Sequence, residues 1–287
     1  GTINLLATGG RAGGRCVELT TAGTGAELTI GVPPQPTICV GAAFCRPSVG
    51  VPSREQRFIT FSTGGNVQIW CNLLPDLGMR IRRGGTYATD GPVLTTIPGP
   101  ILHAGMWDYV EVQATIHTAN GLVVVRVNGL EVGRFEGPTQ AYGSQISAVG
   151  LRCEYNAGST LLIDDVYVTD LQPGGATGFL GDTRVVAVLP ASAGSYTEWE
   201  PSPAGPNWAC VDDNDGDATY VRGVTGQTDT YIYGALPEPA AAVHAIVMRP
   251  ICRTDGPAGT QVAAVAAIGD QVYEGGLMSP ADEYAFD

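Results

Sequence analysis

Alternation of apolar and polar residues around Asn-Gly dipeptides is the feature of this sequence that most restricts its fold. The alternation runs through residues 110–116 and again through residues 123–127, as strands with one buried face require. Asn120-Gly121 lies between these segments, and Asn128-Gly129 separates the second from residues 130–135. Both central residues of a tight type I′ turn need a positive φ, which Asn-Gly adopts readily. The pattern predicts a three-stranded antiparallel meander with two tight hairpins.

Short β-rich segments between turn signals recur along the chain, and none has a convincing helical period. The 40 glycines, 20 prolines and 15% charged residues are typical of many short strands rather than of helices. Two later strands, 146–155 and 160–169, are joined by Asn156-Ala157-Gly158. The earlier predicted strands are residues 15–20, 26–30, 37–44, 57–62, 66–72 and 79–83.

A Gly- and Pro-rich segment, LQPGGATG at residues 171–178, indicates a domain boundary. It is short enough to connect two packed units. We therefore predict a first domain at 1–171 and a smaller β-rich module at 179–287. The predicted strands of the second module are residues 184–189, 231–233, 243–250 and 261–268.

The charge balance is acidic, with a net charge of -13 and arginine as the only basic residue besides three histidines. Free nucleic acid is not expected as a ligand, because binding it needs a basic face. No apolar run reaches the length of a membrane span, and no targeting segment is visible. Arg80, Arg82 and Arg83 form a basic cluster that either grips a carboxylate or phosphate or, as we favour, protects a solvated strand edge.

Seven cysteines are scattered without a C-x-x-C pair, so a zinc site is not supported. We expect most of them to be small buried side chains. An interchain disulfide formed in an oxidising environment is the alternative. The cysteines are Cys16, Cys39, Cys45, Cys71, Cys153, Cys210 and Cys252.

Catalytic motifs are lacking: the three histidines are far apart, and no G-x-S-x-G segment occurs. Asp164 and Asp165 are adjacent, so a regular strand would direct them to opposite faces and they would not form a glycosidase pair. We therefore expect no catalytic residue and no enzymatic activity. Glutamates that qualify by type alone are Glu18, Glu27, Glu111 and Glu131.

An acidic loop at residues 212–217 is the best candidate for a metal site, because crowded carboxylates suit calcium. Asp213, Asp215 and Asp217 would be the ligands. The spacing does not fit an EF-hand, and a solvated Asx-rich turn is the favoured alternative.

Aromatic residues near that loop raise the hypothesis of carbohydrate binding, since indole and phenol rings stack on sugars. The candidates are Trp199, Trp208 and Tyr220. Packing of partly buried strand aromatics explains them equally well.

An ordered series of motifs carries a family resemblance. The segment from Trp107 to Asp170 opens with W-x-Y-V-E-V, continues with V-R-V-N-G and closes with I-D-D-V-Y-V-T-D. It resembles the concanavalin-A-like (laminin-G-like) jelly-roll sandwich of tailed-bacteriophage virion proteins. GFLGDTRVVAVLP, SYTEWEPS and the motifs that follow them are similar to the second module of those proteins, and the resemblance covers roughly residues 100–275.

The resemblance implies an all-β fold, a concanavalin-A-like jelly-roll sandwich followed by a smaller β-sandwich-type module. It also implies a non-enzymatic structural component of the virion: a tail appendage, a fibre-associated protein or a capsid decoration protein. Its partners would be other virion proteins and copies of itself, first in the host cytoplasm and later outside the cell. A host-surface glycan-binding adhesin is the main alternative, and a glycoside hydrolase is a weaker one.

Such proteins continue past the equivalent of Tyr284 with further strands, whereas this chain stops at Asp287. An open sheet edge is a template for pairing with another chain. We therefore expect a neighbouring subunit to complete or cover the second module.

Overall fold

A computed structural model describes most of the chain as two compact units, Gly1–Val185 (unit 1) and Val186–Asp287 (unit 2). The described residues are 1–47, 54–85, 91–154, 159–171, 178–213, 215–256, 260–269 and 271–283. Within them the chain forms nineteen strands and one 3-10 helix of four residues, and no helix has the length and apolar character of a membrane span. The predicted all-β fold is confirmed.

Unit 1 contains thirteen of these strands, arranged in two antiparallel sheets. The strands are β1 (Thr2–Leu6), β2 (Cys16–Thr20), β3 (Ala26–Gln35), β4 (Thr37–Cys45), β5 (Gln56–Thr63), β6 (Asn66–Leu73), β7 (Met79–Arg83), β8 (Val93–Ile97), β9 (Trp107–Thr115), β10 (Gly121–Val127), β11 (Leu130–Gly137), β12 (Ile146–Cys153) and β13 (Thr160–Thr169). One sheet has the order β1-β2-β13-β4-β9-β10-β11, and the other has the order β3-β12-β5-β6-β7-β8. Consecutive hairpins in both sheets are combined with pairs of strands that are distant in sequence, such as β2 with β13 and β4 with β9, as in a jelly-roll sandwich.

The core of unit 1 lies between the two sheets and contains side chains from both of them. Val110 and Val112 on β9 are fully buried, as their alternation predicts. Phe44 of the seven-stranded sheet packs on Phe58 of the six-stranded sheet, with ring centroids 4.6 Å apart. This contact joins the two layers of the predicted jelly-roll sandwich.

The two Asn-Gly dipeptides behave differently. Asn128 and Gly129 have φ values of 50° and 81° and form the predicted two-residue hairpin between β10 and β11. The tight hairpin predicted at Asn120-Gly121 is wrong, because β9 ends at Thr115 and neither residue of the dipeptide has a positive φ. A longer loop joins these strands.

The side chain of His117 closes this longer loop. Its Nδ1 atom accepts hydrogen bonds from the backbone N–H groups of Ala119 and Asn120, at 3.0 and 2.8 Å. Gly121 is instead required by packing, since a Cβ atom at this position would collide with Thr139.

Unit 2 consists of short strands with little packing around them. They are β14 (Pro190–Thr197), β15 (Glu200–Ser202), β16 (Tyr220–Arg222), β17 (Asp229–Tyr233), β18 (Val265–Ile268) and β19 (Gln271–Glu274), and the 3-10 helix is Asn207–Cys210. They pair as three separate two-stranded sheets, β14 with β17, β15 with β16 and β18 with β19. The strands predicted at 184–189 and 243–250 are wrong, and the one at 261–268 is reduced to its last four residues.

All seven cysteines are free, and six of them are buried. This agrees with their interpretation as small apolar side chains. Burial raises the pKa of the Cys39 thiol to about 12 and that of Cys153 to about 11, so both are poor nucleophiles at neutral pH.

Candidate functional site

The outward side of the six-stranded sheet carries two clusters of charged and polar side chains, which together we call the polar face. Its members alternate along the strands with core residues; on β6, for example, Trp70 and Asn72 flank the buried Cys71. The polar face comprises Glu27, Glu55, Arg57, Trp70, Asn72, Arg80, Arg82, Arg152 and Glu154.

One half of the polar face centres on the carboxylate of Glu55. Arg80 Nη1 donates to it at 2.6 Å, and Arg82 donates through Nε at 2.8 Å and Nη2 at 3.1 Å. Asn72 Nδ2 donates at 2.8 Å. Burial alone would raise the pKa of Glu55, but the hydrogen bonds from Arg82 and Asn72 and the nearby arginine charges outweigh it. The pKa of Glu55 is therefore lower than its ordinary value.

We expect Glu55 to remain ionised at pH values where a free glutamate is half protonated. Because its folded pKa is lower than its unfolded pKa, its contribution to stability is full above the unfolded pKa and is lost as pH falls through the folded one. NMR titration of the Glu55 carboxyl carbon should give a midpoint below the ordinary pKa of a free glutamate. Arg82→Gln should raise the midpoint, and an unchanged midpoint would show that Arg82 does not control the site.

The other half of the polar face centres on Glu154, which is 4% exposed. Arg57 donates to it from Nη1 at 3.0 Å and from its backbone N–H at 3.1 Å. Arg152 Nη2 lies 3.6 Å from the same carboxylate, while its Nη1 pairs with Glu27 at 2.7 Å. Gly150 makes room for this arrangement, since a Cβ atom at 150 would collide with the Glu27 carboxylate.

The aromatic ring of the polar face is covered rather than open. The Arg57 guanidinium carbon lies 4.5 Å from the centroid of the Trp70 ring, a cation–π arrangement. Trp70 is therefore buried. Beside it, Oδ1 of Asn72 is buried and has no hydrogen-bond partner among the described residues.

The basic cluster predicted from the sequence is part of this face, but its interpretation as a strand edge is wrong. β7 lies between β6 and β8, so Arg80 and Arg82 belong to an internal strand. Arg83 points elsewhere and donates to the carbonyl oxygen of Pro138 at 3.0 Å.

The three carboxylates proposed as calcium ligands are all exposed. Asp215 accepts hydrogen bonds from the backbone and hydroxyl groups of Thr219, and Asp217 pairs with Arg253 at 3.1 Å. Within the described ranges, no three His, Cys, Asp or Glu side chains form a group that could hold a metal ion. The calcium site at Asp213, Asp215 and Asp217 stays a prediction.

The three aromatic candidates lie in one part of unit 2 and are half-buried. Trp199 directly precedes β15, whose partner strand β16 begins at Tyr220, and Trp208 lies in the 3-10 helix. The Trp199 ring packs on Gly223, and its buried Nε1 has no hydrogen-bond partner within the described part of the chain. Sugar binding by these rings stays a prediction.

Regular alternation does not hold at the paired aspartates of β13. A bulge follows Asp164, and Asp165 has a φ of 51°. Both carboxylates consequently bind Arg11: Asp164 accepts from its backbone N–H at 2.9 Å, and Asp165 lies 3.5 Å from its guanidinium. Their predicted separation to opposite faces is wrong, because the bulge breaks the period of two.

The four glutamates that were catalytic candidates by residue type alone are dispersed over unit 1. Glu27 belongs to the polar face, whereas Glu131 pairs with Arg134 on the exposed edge strand β11. Glu111 is fully buried on the seven-stranded sheet, where Tyr167 and the backbone N–H of Gly181 donate to it. Glu18 accepts a hydrogen bond from Asn4.

Sequence reasoning missed Glu55, Arg57, Asn72, Arg152 and Glu154. The available signal was a polar residue at every second position of adjoining strands, including Trp70 and Asn72 on β6 and Arg80 and Arg82 on β7. That signal shows a polar face. The partners of its charges come from distant segments and were not predictable.

No protein-family model matches the sequence, and no curated protein matches it. Several solved structures are similar in fold. Cellulose induced protein Cip1 is 16% identical with a TM-score of 0.46, and the match covers 59% of this chain and 85% of that chain. The endo-β-1,4-glucuronan lyase from the fungus Trichoderma reesei is 14% identical with a TM-score of 0.43, and the match covers 58% of this chain and 86% of that chain. Alginate lyase vAL-1 from Chlorella virus is 12% identical with a TM-score of 0.45, and the match covers 58% of this chain and 88% of that chain.

These comparisons correct one expectation. The expectation of no enzymatic activity, which rested on the lack of catalytic motifs and on the family resemblance, is wrong as it was stated, because the solved structures similar to this chain include an alginate lyase and a glucuronan lyase. These similarities concern the fold and assign no activity to this chain.

Proposed function

We propose that this chain is a glycan-binding component of a bacteriophage virion and that the polar face is its binding site. The virion setting, in a tail appendage, a fibre-associated protein or a capsid decoration, rests on the sequence resemblance from Trp107 onward. The observation that carries the binding proposal is the pair of clusters of arginine, glutamate and asparagine side chains on one sheet face, one around Glu55 and one around Glu154.

The chemistry of this network suits vicinal hydroxyl groups. Each sugar hydroxyl donates one hydrogen bond and accepts others, and the polar face places guanidinium donors directly beside carboxylate acceptors. Arg80 and Glu27 are the most accessible members, with side chains 33% and 30% exposed. Their partners already hold them, so binding a sugar costs little side-chain entropy.

Charge favours a neutral ligand or a weakly acidic one. The polar face has four arginines against three glutamates, close to neutrality in a chain of net charge -13. We therefore expect glycan affinity to depend little on salt, in contrast to a site that neutralises a polyanion.

We expect the full chain to bind members of a glycan array, with the affinity then measured by calorimetry. Arg80→Ala should weaken binding by about tenfold or more, because it removes a charged hydrogen-bond donor worth about 1.5–3 kcal/mol. Arg134→Ala is the matched control: Arg134 is an exposed arginine paired with glutamates on the other sheet, and its loss should leave the affinity unchanged.

A third variant separates the polar face from the aromatic candidates of unit 2. Trp208→Ala should not change the affinity if the polar face is the site. Loss of binding in Trp208→Ala but not in Arg80→Ala would transfer the site to unit 2. A folded chain that binds no glycan on the array would contradict the proposal.

A further inference from the structure

A gap separates one end of β5 from the facing end of β12 in the six-stranded sheet. The pairing of these two strands stops at Leu151 opposite Ile59, next to the bulge that Phe58 makes in β5. A bulge bends its strand and interrupts the ladder. The small cavity at this gap has room for about one water-sized group. Its polar lining residues are Arg46, Gln56, Arg57, Arg152 and Thr160, together with the thiol-bearing Cys153.

One of these lining residues is a buried hydrogen-bond donor that needs an acceptor. Gln56 is 6% exposed, and its Nε2 atom has no hydrogen-bond partner among the described residues. An amide N–H group that is buried without a partner costs the desolvation free energy of that group. The species that completes this cavity therefore has to accept hydrogen bonds, which excludes a metal cation.

The charges around the cavity favour an anion over a water molecule. Three arginines line it, and no aspartate or glutamate is among its described lining residues. Glu154, on the polar face, pairs with Arg57 and Arg152, and Glu27 pairs with Arg152 as well. These two carboxylates against three guanidinium groups leave a local charge of +1, in a chain whose net charge is -13. One monovalent anion would balance that charge.

Arg46 brings a buried charge to the cavity from the other sheet. It directly follows β4 and is 7% exposed. Burial lowers the pKa of its guanidinium below the ordinary value, because the charge is removed from water. The neighbouring Cys153 thiol does not provide the opposite charge at neutral pH, since burial raises its pKa to about 11. An anion beside Arg46 would offset the cost of this desolvation.

We infer that this cavity binds one monovalent anion of halide size, held by the Arg46 guanidinium and the Gln56 amide. Chloride and bromide suit a space of this size, whereas sulfate, phosphate and larger organic anions do not. The bound anion would stabilise the sandwich at the point where β5 and β12 separate. The inference does not rest on glycan binding, because no sugar takes part in it.

Thermal unfolding of the full chain in sodium bromide, compared with sodium gluconate at equal ionic strength, tests this inference. An anion that binds only the folded state raises the Tm by an amount that follows its binding curve, while equal ionic strength keeps charge screening the same. We expect bromide to raise the Tm relative to gluconate in this saturable way. Arg46→Gln and Gln56→Leu should each weaken the apparent bromide affinity by about tenfold or more, because each removes a donor to a charged ligand.

Arg134→Gln is the matched control. It makes the same change of charge as Arg46→Gln, but Arg134 is exposed and paired with glutamates on the other sheet. The bromide affinity of this variant should equal that of the unchanged chain.

Anomalous diffraction from crystals of the unchanged chain in bromide locates the ion without any substitution. We expect one anomalous peak in the cavity between Arg46 and Gln56. A cavity that holds only water would overturn the inference, as would equal Tm values in bromide and gluconate or a bromide effect that both variants retain. Glycan binding is measured in gluconate with Arg80→Ala, so failure of one proposal does not decide the other.

Discussion

Replacing Glu154 with alanine is expected to lower the free energy of unfolding of unit 1 by about 3–5 kcal/mol, the cost of leaving buried charges without their partner. The Glu154 carboxylate is the common acceptor for Arg57 and Arg152, whose side chains are 12% and 8% exposed. Without it, two largely buried guanidinium groups lose the carboxylate that they share. Glu27 still pairs with Arg152 and the Trp70 ring still contacts Arg57, but neither restores the carboxylate that the two guanidinium groups share.

Urea denaturation followed by tryptophan fluorescence measures this effect, since Trp70 lies under Arg57 in the same network. Glu131→Ala is the matched control: it removes a glutamate from an arginine pair that is exposed to solvent, and no measurable change is expected. A loss below 1 kcal/mol in Glu154→Ala would mean that the arginines find other partners and that the network is not preorganised.

Replacing Phe58 with alanine is expected to cost about 3–5 kcal/mol, the range for removing a buried aromatic ring from a core. Phe58 is 2% exposed and belongs to the bulge where two residues of β5 oppose one of β6. Its ring contacts Phe44 of the other sheet. The substitution therefore leaves a cavity between the two layers of the sandwich.

A double-mutant cycle of Phe44→Ala and Phe58→Ala should give a coupling energy of about 0.5–1.5 kcal/mol. Equilibrium denaturation of the two single variants and the double variant supplies the measurement, with the exposed Leu130→Ala as a control that should behave as the unchanged chain. Additive effects of the two phenylalanines would show that the sheets are not in contact at this point.

Local sequence chemistry determined much of unit 1. The alternating segments became strands at nearly the predicted bounds, because a period of two directs one face of each strand to the core. Asn128-Gly129 formed its hairpin because both residues adopt a positive φ. Asn120-Gly121 did not, since His117 and Thr139 hold that loop through contacts that local pattern does not encode.

The side-chain partners on the polar face could not be predicted from local sequence. The sequence showed the arginines of β7 but not that the strand is internal, because strand order depends on pairing between distant segments. Glu55 lies 25 residues from Arg80 and Glu154 lies 97 residues from Arg57. No local pattern connects such residues.

What the sequence by itself determined was the class of the fold, the position of most strands in unit 1 and the tight hairpin at Asn128-Gly129, since these follow from the conformational preferences of neighbouring residues. Only the tertiary structure decided the order of the strands, the partners of each charge and the difference between a unit with a core and a unit without one. These features depend on which distant segments of the chain pack together. Whether a residue is buried depends on that packing and not on the residue alone.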